Sequence, residues 1–400
     1  MSRARPPVPS PVGTPLPRSL GRRAWMLAGL GGAGASWAAG VARPTAPAKK
    51  TEPAALSWPR DHGSHPQSRI EWWYITGHAR TGAGEGARDL GFQITFFRNR
   101  VEQAQGMGSQ FAPRQLLFAH AAVSDVQGQR FRHDQRLARA GFGVAEASET
   151  DTAIRLREWS LERRDGRYLA RVQARDFALE LAFTPTQSVL LQGEQGLSRK
   201  GPDPRDASHY YSQPQMAFEG TITLDGQRLP VRGEGGRAPF DPKQAGGAAW
   251  LDHEWSDRFL PAQAVGWDWV GINLFDGGAL TAFRLRDAAG DTLWDGGSFR
   301  HPAMNDGQKP YVFSRREAQF QALRGWTSPM TKAHYPVEWL LRTPADNYVL
   351  RALQDNQELD SRGSTGTVYW EGLCDLFDSN RHHVGRGYLE MTGYARPLVL

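Results

Sequence analysis

From Ile70 onward, aromatic and β-branched residues gather in short runs, with Gly, Asp and Asn between them. This pattern predicts strands near Ile70–His78, Leu90–Arg98, Leu116–Val126, Ala153–Arg163, Tyr168–Arg175 and Phe177–Phe183. A second group covers Tyr210–Leu224, Ala248–Glu254, Val265–Phe275, Ala279–Arg286 and Leu293–Arg300. The last comprises Tyr335–Arg342, Tyr348–Gln354, Thr367–Leu376 and Gly387–Tyr394. Asp165-Gly166, Asp225-Gly226 and Asp276-Gly277 are hairpin signals between them. Helical periodicity is weak, and Phe131–Ala140 and Arg315–Leu323 are the only candidate helices. The chain reads as all-β, and many strands at short spacing point to sandwiches or antiparallel barrels. Fourteen Trp, twelve of them after residue 50, are more than one thin sandwich core needs and suit barrels with an aromatic interior.

Glu71-Trp72-Trp73-Tyr74-Ile75, a turn and Phe92-Gln93-Ile94-Thr95-Phe96 are echoed by Asp268-Trp269-Val270-Gly271-Ile272 and Leu280-Thr281-Ala282-Phe283. Each places an acid just before tryptophan on a strand that ends in a hairpin. Two related barrels would result, joined in the Gly/Pro-rich stretch Gly233–Gly247. The expected division is an export signal at 1–42, an extended linker at 43–57, an N-terminal barrel at 58–240 and a C-terminal barrel at 241–400.

The first fifty residues carry eight basic side chains and no acid. Arg22-Arg23 opens a Gly/Ala-rich apolar run through Gly40, followed by small residues, which is the layout of a twin-arginine-type signal. A periplasmic or secreted location is therefore expected. Removing those eight charges turns the formal net charge of +6 into −2, so no basic footprint for nucleic acid remains. No later run is long enough to span a bilayer. The single cysteine, Cys374, excludes an internal disulfide and thiolate metal clusters.

Strand alternation places Glu71, Trp73 and Ile75 on one face, and Trp72, Tyr74 and Thr76 on the other. It likewise puts Asp252 and Glu254 opposite His253 and Trp255, and turns Asp268 toward the apolar Val270, Ile272 and Leu274. A carboxyl desolvated there would keep a proton near neutral pH. Beside tryptophan faces it could protonate an alkene and hold the resulting cation, while His253 handles water. Tyr211, Arg98 and the neighbouring Phe96-Phe97 could orient a ligand. His62 and His65, with Asp61, His120, His253 or Glu254, could assemble a zinc site. They sit in a Gly/Pro loop without H-E-x-x-H, so a reaction without metal or cofactor is the preferred expectation. No Gly-x-Ser-x-Gly nucleophile motif occurs.

These motifs resemble the AttH-like, carotenoid 1,2-hydratase-related lipocalin-like proteins. The resemblance rests on Asp61-His62-Gly63, His65, Glu71-Trp72-Trp73-Tyr74, Thr76-Gly77, Phe92-Gln93, Phe96-Phe97-Arg98 and His120. It continues in Tyr211-Ser212, Asp252-His253-Glu254-Trp255, Gly266-Trp267-Asp268-Trp269 and Gly387–Tyr394, covering the chain from about residue 58 to its end. It implies two lipocalin-like β-barrels packed together and an apolar ligand of isoprenoid or polyene type. In the hydratases of the family a His-x-Trp pair and a later aromatic–acid pair are functional. His253 and Trp255 match the first, and Trp267 and Asp268 match the second only loosely, which leaves Asp252, Glu254 and Glu71 as rival acids. Trp72, Trp73, Tyr74, Arg98, His120, Tyr211, Trp255, Trp267 and Trp269 are the expected ligand contacts. Exported members often bear the name predicted secreted hydrolase and lie beside ABC-transporter components. Two functions are thus implied: a hydro-lyase of hydratase type, or a periplasmic lipid carrier serving an ABC-type transporter.

Overall fold

Two antiparallel sheets make up the computed structural model, which describes residues 55–82, 86–238, 240–258, 260–304 and 308–398. The expected export signal lies outside the described residues, as does the linker apart from its last three. Strand by hydrogen-bonded strand, the first sheet runs Arg130–Arg139, Gln115–Asp125, Arg88–Arg100, Ile70–Thr81, Gly246–Ser256, Ala207–Leu224, Phe177–Thr184, Arg167–Gln173, Trp159–Arg164, Ala153–Leu156 and Ala145–Ala147. The second runs Tyr311–Val312, Thr292–Arg300, Ala279–Arg286, Gly266–Leu274, His383–Met391, Val368–Phe377, Asn347–Ala352, His334–Arg342 and Gln319–Thr327. In both, the first strand of the half pairs with its last strand, and most other neighbours follow in chain order. The first sheet curls into a nearly closed barrel and the second into a half-barrel, giving two lipocalin-like barrels packed together. No helix among the described residues is long and apolar enough to cross a membrane.

Burial follows strand position. Arg167–Gln173 and Ala153–Leu156 bury every second residue, as strands with one solvated face do. Ile70–Thr81 and Gly246–Ser256 are buried on both faces. One face of Ile70–Thr81 puts Trp73 and Ile75 into the first barrel, and the other puts Trp72 and Tyr74 against the second sheet. Tryptophan therefore fills not only barrel interiors, as the composition suggested, but also the layer between the sheets, where Trp72, Trp250, Trp267 and Trp269 gather. Each fully buried ring contributes roughly 1.5–3 kcal/mol through its apolar surface.

The sheets are stitched by polar side chains. Ala207–Leu224 bulges between Gln213 and Met216, with Gln215 at φ +56°. That kink turns Gln215 toward the second sheet, where its backbone N–H donates to Asn273 Oδ1 at 2.7 Å and its side chain donates to the Leu274 and Gly278 carbonyls. His120 joins the seam through Tyr369 OH and Ser364 Oγ, both at 2.8 Å.

Three expectations are corrected. The candidate helix Phe131–Ala140 lies in a strand that pairs residue for residue with Gln115–Asp125, and Arg315–Leu323 is a turn entering the strand Gln319–Thr327. Ladder pairing outweighs their weak 3.6-residue pattern. The run Ala153–Arg163 is two strands, because the chain reverses at Arg157, which takes φ +57°. The division at 240/241 also fails to match the sheets. Gly246–Ser256 belongs to the first, bonded to both Ile70–Thr81 and Ala207–Leu224, so the chain crosses between Ser256 and Gly266 rather than within Gly233–Gly247.

Candidate functional site

The strand Gly246–Ser256 is the wall between two polar regions. Asp252 and Glu254 point out of the first barrel into a cavity of about 420 Å³ between the sheets. His253 and Trp255 point the other way, into the barrel. The first sheet lines the cavity with Trp72, Tyr74, Phe97 and His120, and the second with Trp267, Trp269, Phe283 and Tyr369. Trp269 can lie along its own strand because residue 271 is glycine: an added Cβ there would stand 2.4 Å from the indole. Its Nε1 donates to Tyr210 OH at 3.1 Å, and Tyr210 OH donates to Asp252 Oδ2 at 2.8 Å.

Four carboxyls face this largely aromatic space. Asp252 also accepts from Ser212 Oγ at 2.5 Å and Trp250 Nε1 at 2.8 Å. Burial nevertheless pushes its carboxyl up to about 7, with Glu254 adding to the shift. Glu254 accepts from Ser208 Oγ and pairs with the Lys200 ammonium at 2.9 Å. From the second sheet, Glu390 is pushed up to about 7 by burial and by the charges of Asp252 and Glu254, against a hydrogen bond from the Trp267 side chain. Burial and the charge of Glu390 hold Glu371 well above the usual carboxyl range. A buried carboxyl without a counter-ion keeps its proton because ionising it costs more than water would charge.

A second polar cluster lies inside the first barrel. Glu71, fully buried, accepts from His253 Nε2 at 2.9 Å, His65 Nδ1 at 2.7 Å, Arg98 Nε at 2.8 Å and the His65 backbone N–H at 2.9 Å. Burial raises its carboxyl, but the hydrogen bonds from His253 and His65 overcome that and hold it well below the usual range. Burial lowers His253 to about 4, so its ring is neutral, and its Nδ1 meets Tyr211 OH at 3.1 Å. Trp255 stacks on His65 with centroids 3.7 Å apart, and Trp73 stacks on His253 at 4.6 Å. Ligand atoms of His65, Glu71 and His253 lie within 4.8 Å of one another, close enough for a metal ion. Arg98, however, already neutralises Glu71 and fills Oε2, so the donor set is complete as a hydrogen-bonded network.

The residues expected from sequence thus divide. Trp72, Tyr74, His120, Asp252, Glu254, Trp267 and Trp269 line the cavity; Glu71, Trp73, Arg98, Tyr211, His253 and Trp255 form the network within the first barrel. Asp268 belongs to neither. It lies in the second barrel with Arg284 Nε at 2.6 Å, Arg286 Nε at 3.0 Å and Tyr394 OH at 2.9 Å. Two guanidiniums and a phenol surround it, in place of the apolar setting that its strand neighbours suggested. The structure adds Glu371, Glu390, Lys200 and Tyr210. The first two carried the same signal as Glu71: in Tyr369-Trp370-Glu371 and Leu389-Glu390-Met391, an acid sits in an apolar strand.

The AttH-like family model matches residues 49–394. The chain belongs to the AttH-like family. Among solved structures, an AttH-assigned protein of Nitrosomonas europaea is 40% identical, with a TM-score of 0.76 over 87% of this chain and 99% of its own. Kievitone hydratase of Nectria haematococca is 12% identical, with a TM-score of 0.62 over 85% of this chain and 93% of its own. At that identity the likeness is one of fold, so the AttH-like architecture is one that a hydratase also uses. Comparison with curated proteins gives no match.

Proposed function

We propose that the cavity between the sheets binds an apolar, unsaturated ligand of isoprenoid or polyene type and adds water across a carbon–carbon double bond by cofactor-free acid–base chemistry. The observation that carries this reading is the inequality of two carboxyls, one from each sheet. Glu390, at about 7, keeps a proton to give, whereas Glu254 is paired with Lys200. Asp252 is a weaker donor candidate because three side chains already occupy its oxygens. Glu390 protonates one alkene carbon; the cation formed at the other is faced by Trp267, Trp269 and Phe283. Water adds to that carbon and passes its proton to Glu254, and proton exchange through solvent restores both groups. A cavity of about 420 Å³ is within the range of small-molecule sites, enough for a short isoprenoid or one end of a longer polyene.

Export by the twin-arginine route is part of the proposal, supported by Arg22-Arg23 and the acid-free first fifty residues. A lipid carrier working with an envelope transporter would use the same apolar walls but leaves the raised acids without a task. The test is incubation with acyclic isoprenoid alkenes in ¹⁸O-labelled water, followed by mass spectrometry. The expected product gains one labelled water, and Glu390→Gln binds the alkene without forming it. Product at the wild-type rate from that variant removes the acid assignment. A ligand that fills the cavity and emerges unchanged favours the carrier.

A further inference from the structure

Inside the cavity, four carboxyls face one buried ammonium. The Lys200 Nζ lies 2.9 Å from Glu254, 4.2 Å from the Phe283 ring centroid and 5.1 Å from that of Tyr210. The protein has thus built one seat for an organic cation here, with a carboxylate on one side and aromatic faces on the others. The second sheet offers the components of another. Glu371 and Glu390 stand on adjacent strands as direct cross-strand partners, with Trp269 opposite Glu390 on the next strand. Among the described residues, no ion pair involves either acid. Glu371 has the Tyr74 and Tyr369 hydroxyls beside it, phenols rather than cations. Desolvated carboxyls with no protein counter-ion favour a cation that a ligand brings.

We propose that the cavity is a receptor for amphiphilic organic cations, with an ammonium head seated beside Glu371 and Glu390 among the tryptophans and an apolar tail along Phe97, Phe118 and Leu285. This rests on the proposed function only in taking the cavity as the ligand site, and it holds whether or not water is added there. An ammonium ion would imitate the cationic centre formed on alkene protonation. Anionic amphiphiles of the same length are excluded by the same carboxyls.

Such binding is linked to protons. Burial pushes the Asp252 and Glu390 carboxyls up to about 7, so raising the pH through that value supplies the negative charge the ligand needs. Glu371, held well above the usual carboxyl range by burial and the charge of Glu390, ionises later and in the same direction, and the other lining groups do not reverse this sign. Lys200 is paired with Glu254, His120 is lowered to about 3 by burial and stays neutral, and Tyr74, Tyr210 and Tyr369 are raised well above their usual range. Arg396 stands at the C-terminal end of the lining.

Calorimetric titration of the full chain with octyltrimethylammonium, octan-1-ol and octyl sulfate tests the proposal. At about pH 8 the ammonium is expected to bind at one site and about tenfold more tightly than the alcohol, with the sulfate weakest. That preference should shrink as the pH falls below about 6. The Glu371→Gln/Glu390→Gln double variant should lose the preference and still bind octan-1-ol, which shows that the cavity is intact. Equal binding of alcohol and ammonium, or a preference unmoved by pH and by the double variant, overturns the cation site while leaving the hydration reading in place. Binding of none of the three overturns both. A clear ammonium preference in a protein that never adds water supports this inference and removes only the other.

Discussion

Glu254 stands directly across the strand pair from Trp72, and both face the cavity. The second sheet repeats the arrangement with Glu390 opposite Trp269. The rows extend in parallel: Phe97 lies opposite Trp72 as Phe283 lies opposite Trp269, and Tyr210 lies opposite Glu254 as Glu371 lies opposite Glu390. The cavity is therefore walled by one pattern used twice. Its symmetry is broken by Lys200, which pairs with Glu254 and leaves Glu390 without a counter-ion.

That asymmetry assigns different effects to similar substitutions. Glu390→Gln keeps shape and removes the transferable proton, so water addition should fall about 10²–10⁴-fold with ligand affinity nearly unchanged. Lys200→Met leaves Glu254 unpaired and should shift the acid limb of the rate profile upward. Steady-state rates against pH for the two variants check both outcomes.

Stability depends on pH through the buried carboxyls and histidines. The Glu390 carboxyl is raised in the fold from 4.5 to about 7, so its favourable contribution is complete below about 4.5 and is lost as pH rises through 7. Glu390→Gln should therefore leave Tm unchanged near pH 4.5 and raise it by a few degrees at pH 8. A Tm difference that narrows with rising pH would reverse this assignment. His120 and His253, lowered to about 3 and about 4, act the other way: their contribution is full above 6.5 and declines as pH falls toward 4.

The buried ion pairs of the two barrels are structural. Arg98→Met removes the guanidinium from Glu71 and should cost about 3–5 kcal/mol in denaturant unfolding, because an uncompensated charge remains inside. Asp268→Asn strips the partner of Arg284 and Arg286 and should destabilise the fold to a similar degree while the protein that does fold retains its cavity chemistry. Loss of turnover in Asp268→Asn at unchanged stability would return that residue to the reaction.

Replacing Arg22-Arg23 by Lys-Lys should retain the precursor in the cytoplasm, as fractionation and immunoblotting would show. Unaltered export would point to another route.

Much of the fold was legible because strand pairing rests on local alternation. That alternation correctly separated Trp72 from Trp73, and Asp252 and Glu254 from His253. It could not show which face meets the partner sheet, since both faces of Ile70–Thr81 and Gly246–Ser256 are buried and both carry tryptophan. Asp268 misled for a related reason. Its strand neighbours are apolar, but Arg284 and Arg286 reach it from the adjacent strand, a register that no single run of residues displays. Glu371 and Glu390 each show an acid in an apolar strand, but nothing local marks a cavity that forms only when the sheets pack.

Alkene protonation in the cavity needs a proton on a carboxyl at neutral pH, and ¹³C NMR titration of side-chain-labelled glutamate, assigned by Glu390→Gln, measures it directly. The expected Glu390 midpoint is near 7, displaced when Asp252 is replaced by Asn. A midpoint near the ordinary value of 4.5 would mean Glu390 is ionised at neutral pH, and the proposed protonation of the ligand would be contradicted.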